Sequence, residues 1–319
     1  MLTPWHETEY RLKFDVSDRT LAARRLRLLA CELGIGETLG TLWTPDAAAL
    51  PRGLQGYMIR SLPMAGDAPA LPRHDGFVSY LQSRYRRFYI DFDGDFEAYK
   101  QKFSAKTRST FARKVRRLAE VCKGTDFRLY RTAAELEAFH GLARQVSQST
   151  YQERLFDAGL PETDEFKAHM RSAAEAGRVR AYLLSCGGTP IAYLYLEALG
   201  DTLLYRYLGF DPAYAEHSAG TVLHWLALEQ LFGERAFARL DFTEGEGTQK
   251  QQFGTGSVEC ANVLLLRDTL AHRTLLAVHA ATTRAVESAG ALLDRWNLRP
   301  RIKRLLRYRW AKPSAAGRQ

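Results

Sequence analysis

Cysteine is scarce in this chain: Cys31, Cys122, Cys186 and Cys260 are scattered through 319 residues, with no CxxC and no histidine at ligand spacing. That argues against a disulfide frame or a structural zinc and fits a reducing, cytosolic setting. No stretch approaches the roughly 20 apolar residues that a membrane span needs. The opening MLTPWHETEYRLKF has no basic start followed by an apolar run, so no secretory signal is legible. Internal repeats and low-complexity tracts are missing as well. His272 and His279 lie seven apart in a helical pattern and read as packed or exposed side chains, not metal ligands. What remains is a globular composition, 46% hydrophobic and 25% charged, in a chain long enough for two lobes.

Acid is lacking in two places. Lys100 to Lys123 holds nine Lys/Arg against the single Glu120, and Arg295 to Gln319 holds nine more and no acid. These segments carry +17 of a net +9, so the remainder carries −8. Basicity this local implies an anionic partner more strongly than a uniformly high pI does.

The first hundred residues read as mixed α/β. EYRLKFDV alternates as a strand, while DRTLAARRLRLLACELG has an Asp18 N-cap, helical leucine spacing and Gly34 at the stop, and is predicted helical. RRFYIDFDGDF reads as a strand ending in an Asp-Gly turn. FEAYKQKFSAKTRSTFARKVRRLAEVCKG is predicted as a helix region, with Ser104 a candidate N-cap and Phe111, Val115 and Leu118 on one face. It is either a solvated helix or an anion-binding wall carrying Arg108 and Arg113.

From residue 125 the predicted order is β-α-α-β-β-β-α-β-α-β. Thr132 with Glu135 forms a capping box, and Gly187-Gly188 and Gly200-Asp201 are hairpin signals. Hairpin strands followed by a helical crossover make a mixed sheet with helices on both faces. The helix entry EHSAGT follows a strand, so its unpaired amides and small residues suit an anionic group. Ser-Ala-Gly is also an ordinary helix entry.

The segment DFTEGEGTQKQQFG then asks what it holds. Asp241, Glu244 and Glu246 lack EF-hand spacing and no histidine joins them, which disfavours a metal, and no Gly-Lys-Ser/Thr marks a Walker loop. It reads as a strand end, a Gly-permitted bend and a short helix presenting Lys250.

Three strings taken together resemble a known family: FSAKTRSTFARKVRRL, then PIAYLYLEALGDTLLYRYLGFDPAYAEHSAGTVLHWLALEQL, then RLDFTEGEGTQKQQFG. They resemble the GNAT acetyltransferase fold, in its branch of cellulose-biosynthesis or BioF2-like acetyltransferases, related to the FemAB peptidyltransferases. The resemblance implies a GNAT-like mixed α/β sheet, with a first lobe that is a degenerate copy of the same fold. On that basis the divisions are a degenerate N-terminal lobe at 1–98, a basic inter-lobe helix at 99–123, the GNAT acyltransferase domain at 124–268, and an amphipathic helix with basic tail at 269–319.

The implied activity is acyl transfer from a thioester, acetyl-CoA foremost, with no metal. The loop that holds the CoA pyrophosphate in the family falls on Ser218, Ala219, Gly220 and Thr221, of which Gly220 matches the family pattern well. TLLYRYLGF would flank the thioester. Where relatives have Tyr before the loop lysine, this chain has Gln249.

Direct transfer needs a base for the acceptor, donors for the oxyanion and a proton for the thiolate. The candidate bases are Asp241, Glu197, Asp211 and Glu244. Asp211 is also placed to cap its Asp-Pro turn, Glu197 to face solvent, and Asp241 to make structural hydrogen bonds. Tyr205 and Tyr207 alternate onto one side of their strand, and Tyr207 is a candidate proton donor. Lys250, Glu244, Arg108 and Arg113 are the candidate contacts for an anionic acceptor, such as a sugar or a lipid-linked envelope or exopolysaccharide precursor. Two alternatives stand beside this: aminoacyl transfer from charged tRNA, with the basic helix on nucleic acid, and a non-catalytic partner of a polysaccharide synthase. The tail RPRIKRLLRYRW suits peripheral contact with an anionic membrane, or is simply packed or disordered.

Overall fold

The run RTLAARRLRLLACE, read as helical, is a strand in the computed structural model of the protein. The structure describes residues 5–16, 19–37, 39, 45–46, 48, 50–69, 74–150, 159–245 and 247–295. In chain order the first elements are β1 (His6–Val16), β2 (Arg19–Glu32), β3 (Gly56–Ala65), β4 (Ala68–Pro69), β5 (Phe77–Asp91), α1 (Phe96–Lys100) and α2 (Ala105–Val121). There follow β6 (Thr125–Tyr130), α3 (Ala133–Ser149), α4 (Asp164–Glu175), β7 (Val179–Cys186), β8 (Thr189–Leu199) and β9 (Thr202–Phe210). A 3-10 turn (Pro212–His217) leads into α5 (Ala219–Glu234), β10 (Arg239–Asp241), α6 (Thr248–Phe253), β11 (Gly256–Arg267) and α7 (Leu270–Arg295).

The reason β2 is not a helix is burial on both faces. Leu26, Leu28 and Ala30 join one apolar cluster with Leu12 and Met58, while Leu29, Cys31 and Leu33 join another with Tyr57 and Ile59. A strand buried on both sides shows no polar alternation, so its apolar run mimics a helix face. Asp18, the expected cap, lies outside the described residues.

The chain divides into two compact units, one of Arg84–Cys260 with Gly34–Glu37, the other of Leu2–Leu33, Thr38–Ser83 and Ala261–Gln319. In the second unit β1 pairs antiparallel with β2, β2 parallel with β3, and β3 neighbours β11. Leu275 and Leu276 of α7 pack into the cluster around Leu12. Among the described residues no helix is long and apolar enough to cross a membrane. The basic tail beyond Arg295 lies outside them.

The first unit carries the strand order β11-β5-β10-β9-β8-β7-β6. β6 to β9 run antiparallel through hairpins, β9 and β10 are parallel, and β10 and β5 are antiparallel. Gly187 (φ 57°) and Gly188 (φ 81°) give the β7–β8 turn the two positive dihedrals of a type I′ hairpin. One face is covered by α1, α2 and α5, where Phe111 stacks on Trp225 at 4.4 Å. The other is covered by α3 and α4 through Leu136, Phe139 and Met170. This is the expected mixed α/β sheet with helices on both faces.

Two further expectations are corrected here. The basic stretch expected at 99–123 as one helix is two, because Ser104 accepts the Thr107 amide and starts α2 afresh. Cys122 and Cys186 form a disulfide across 64 residues of sequence, since Cys122 caps the end of α2 and Cys186 is the last residue of β7. No spacing rule reveals a pair that only the fold brings together.

Candidate active site

β10 is three residues long, and Leu204, opposite Asp241, is the last residue of β9 that it pairs. Thr243 (φ 59°) and Gly245 (φ 97°) then turn the chain away. Beyond Leu204 this side of β9 has no strand partner among the described residues.

Three side chains lie in a row across the sheet at this strand end. Glu197 pairs with Leu204 and Leu204 with Asp241, so all three leave the same face, the two acids about 10 Å apart at two strand spacings. Asp241 is fully buried and closed by partners. Arg87 donates Nε to Oδ1 at 2.9 Å and Nη2 to Oδ2, and the Thr243 amide donates to Oδ1 at 2.8 Å.

Glu197, expected on a solvent-facing position, is buried. His169 of α4 holds both its oxygens through Nε2, at 3.0 and 2.9 Å, and Arg178 donates Nη1 at 3.1 Å. His169 keeps 54% of its side chain exposed, and its Nδ1 has no hydrogen-bond partner among the described residues.

Tyr205 and Tyr207 do not share a face. Tyr195 pairs with Tyr207 and Leu196 with Tyr205, so Arg206 is an extra residue in a β-bulge. The bulge resets the alternation. Tyr207 sits against Phe166 and Tyr195 beside the Glu197 row, whereas Tyr205 points the other way, against Phe242 and His224. Burial raises the Tyr207 phenol, Arg206 lowers it and Glu197 raises it, with a net rise.

Ser218 takes a left-handed conformation (φ 59°) and no side chain caps the entry of α5, so the first amides of Ala219, Gly220 and Thr221 have no side-chain acceptor. Gly220 packs on the end of β9: a Cβ there would come within 3.0 Å of Phe210 Cδ1. Asp211 accepts the Ala213 amide at 2.9 Å and caps the turn into this entry. α2 packs against α5 and the 3-10 turn. Arg108 bonds the Phe103 carbonyl at 2.7 Å, and Arg113 is exposed.

α6 presents Lys250, whose Nζ donates to the Glu244 carbonyl at 2.7 Å. Burial lowers its ammonium, Asp241 opposes that, and Arg87 adds to it. Gln249, one residue earlier, reaches His224 Nδ1 through its side-chain amide at 3.3 Å. His224 is fully buried between Tyr205, Phe242 and Phe253 and is pushed down to about 3 by burial. Lys102 donates to the carbonyls of Gln252 and Phe253 at 3.0 and 2.8 Å, and also to that of Gly254, which fixes the end of α6. Among the described residues no group of three His, Cys, Asp or Glu comes together to hold a metal.

Residues 105–251 match the model of the Acetyltransferase (GNAT) domain family. The matched segment contains β9, β10, the α5 entry and Lys250. The fold also resembles that of FemX, with 11% identity, 85% of this chain and 90% of that chain covered, and a TM-score of 0.51. A lysylphosphatidylglycerol synthetase C-terminal domain from Agrobacterium fabrum has 12% identity, 72% of each chain covered and a TM-score of 0.47. No curated protein matches the chain.

The structure therefore gathers Glu197, Asp241 and Tyr207 on one face, with Lys250 beside Asp241, and puts Asp211 and Ser218–Thr221 together at the helix entry. Sequence reasoning missed Arg87, His169 and His224. Arg87 is 154 positions from Asp241 and His169 is 28 from Glu197, and no local pattern links such pairs.

Proposed function

We propose that the GNAT domain transfers an acyl group, acetyl foremost, from a CoA thioester directly to an amine or hydroxyl of an anionic acceptor. A sugar or an envelope or exopolysaccharide precursor is such an acceptor. The observation that carries this reading is that β9 loses β10 as its partner after Leu204 and leads through the 3-10 turn into the uncapped entry of α5. Free helix amides favour a pyrophosphate, and the unpaired edge of β9 can donate amides to a carbonyl that becomes an oxyanion.

In this reading Ser218, Ala219, Gly220 and Thr221 hold the donor phosphates, and Asp211 shapes their turn. His169, oriented by Glu197, accepts the acceptor's proton. Tyr207, kept protonated by burial, gives its proton to the leaving thiolate as the carbon–sulfur bond breaks. Lys250, with Glu244 beside it, holds the anionic acceptor, and Asp241 with Arg87 keeps the strand end in place. The branch of cellulose-biosynthesis or BioF2-like acetyltransferases rests on the three sequence strings alone.

Calorimetric titration of acetyl-CoA tests the donor, with Thr221→Glu as the control. A helix N-terminus tolerates a carboxylate, but a carboxylate there repels a pyrophosphate. Saturable binding lost in Thr221→Glu supports the site. No binding to the native chain at millimolar ligand overturns it. A second reading, aminoacyl transfer from charged tRNA, is favoured by the exposed Arg113, Arg116 and Arg117 of α2. It requires RNase-sensitive activity and a steep loss of RNA binding with salt.

A further inference from the structure

Gly141 sits in the interior of α3, where glycine is destabilising relative to alanine. No close packing requires it there: a Cβ on Gly141 would meet no atom within 4 Å. The open space belongs to a cavity of about 220 Å³ on the exposed side of α3 and α4, which pack against each other. Its walls are two rows at four-residue spacing, Ala133, Glu137 and Gly141 from α3, and Lys167 and Arg171 from α4. His140 and Met170, both buried, complete the lining. The volume is below the roughly 300–1,000 Å³ of pockets for drug-sized ligands, so it suits a smaller molecule.

The lining carries both signs of charge, and they do not neutralise each other. Glu137 has no cationic partner and Arg171 no carboxylate partner among the described residues. Lys167 reaches Asp164 at 3.9 Å, one turn earlier and fully exposed, a pair of little worth. His140 adds a directional group. It is 6% exposed, and its Nε2 lies 2.8 Å from the Pro161 carbonyl. A carbonyl accepts, so Nε2 carries the hydrogen, and Nδ1 of the neutral ring is an acceptor. Nδ1 has no hydrogen-bond partner among the described residues. A buried acceptor is costly to leave unmet, and a ligand in the cavity that His140 lines can bring it a donor.

We infer that this cavity binds a free α-amino acid as its zwitterion. The ammonium group donates to His140 Nδ1 and to the Glu137 carboxylate. The ligand's carboxylate accepts from Arg171 and Lys167. Met170, Ala133 and the bare backbone at Gly141 leave room for its side chain. A lone anion would leave Glu137 and Nδ1 unanswered, and a lone cation would face Arg171 and Lys167. A molecule with both charges a few bonds apart satisfies all four groups. The site uses none of the residues assigned to acyl transfer.

The test is an NMR titration of the full chain, labelled at its methionine methyl groups, with L-alanine, L-leucine and L-phenylalanine in turn. The Met170 signal should shift saturably with at least one of them, and not with acetate or ethylamine at the same concentrations. Glu137→Gln and Arg171→Gln should each raise the dissociation constant about fivefold or more, the loss of one charged hydrogen bond. Gly141→Leu puts a side chain into the cavity where nothing obstructs its Cβ. Binding should vanish in this variant while the melting temperature holds or rises, because leucine is the better helix former. That combination separates a filled site from a damaged fold. No saturable shift with any of the three amino acids overturns the inference. So does an equal response to acetate or ethylamine alone, or undiminished binding in Gly141→Leu or in both charge variants.

Discussion

Arg87 and Asp241 meet as a two-point ion pair with both side chains buried, one from the end of β5 and one from the last residue of β10. Breaking such a pair from one side leaves a bare charge in the interior, which costs about 3–5 kcal/mol. Asp241→Ala is therefore expected to lower unfolding free energy by that order in urea titration. Arg87→Met/Asp241→Leu, which removes both charges, should recover most of the loss. If the single and double variants unfold alike, the pair is not what holds β10 in place.

His224 makes stability depend on pH in a predictable direction. Its folded value is pushed down to about 3, against about 6.5 in an unfolded chain. Between those values the unfolded state binds the extra proton, so this group's contribution is whole above about pH 6.5. It is lost progressively as pH falls toward 3. His224→Phe, which fills the site between Tyr205, Phe242 and Phe253, should flatten the decline in melting temperature between pH 7 and pH 4. An unchanged slope would mean that the imidazole is not held neutral.

Most of the first unit was legible from residue 125 onward, because each element there announces itself locally. The Thr132–Glu135 capping box, the Gly187-Gly188 turn and the strand spacing of PIAYLYLEAL all reappear as expected. What was hidden is non-local. β2 lost its polar alternation because both of its faces are buried. Period-two counting puts Tyr205 and Tyr207 on one face and has no way to anticipate a bulge at Arg206. The acids of the candidate site were named, but their partners Arg87 and His169 come from elements far away in sequence.

The close packing of β8 on β9 gives a third test. Gly209 lies opposite Tyr193, and a Cβ on Gly209 would overlap the buried Tyr193 ring. Gly209→Ala should destabilise by roughly 1–3 kcal/mol, the usual penalty for overpacking. In a Tyr193→Ala background the same change should cost far less, since the obstacle is a side chain that is gone. Gly56 differs, because a Cβ there would overlap the Leu265 carbonyl, a backbone atom that no side-chain change removes. Gly56→Ala should stay destabilising in any side-chain background, and tolerance of it in urea titration would contradict the packing.

The Cys122–Cys186 disulfide makes a prediction that thiol counting decides. Cys31 and Cys260 are buried, and burial pushes their thiols up to about 12 and about 11. At pH 8 the native protein should thus react with almost no thiol reagent, since the thiolate is the reactive form. Unfolding without reductant should expose two thiols, and unfolding with reductant all four. The bridge closes a loop spanning 64 residues of sequence, which on chain entropy alone stabilises by about 4 kcal/mol. Reduction, or Cys122→Ser/Cys186→Ser, should lower unfolding free energy by up to that amount, with the strongest loss of amide protection at the end of α2 and the start of β6. Four reactive thiols in the unfolded, unreduced protein would show that the two sulfurs are not joined.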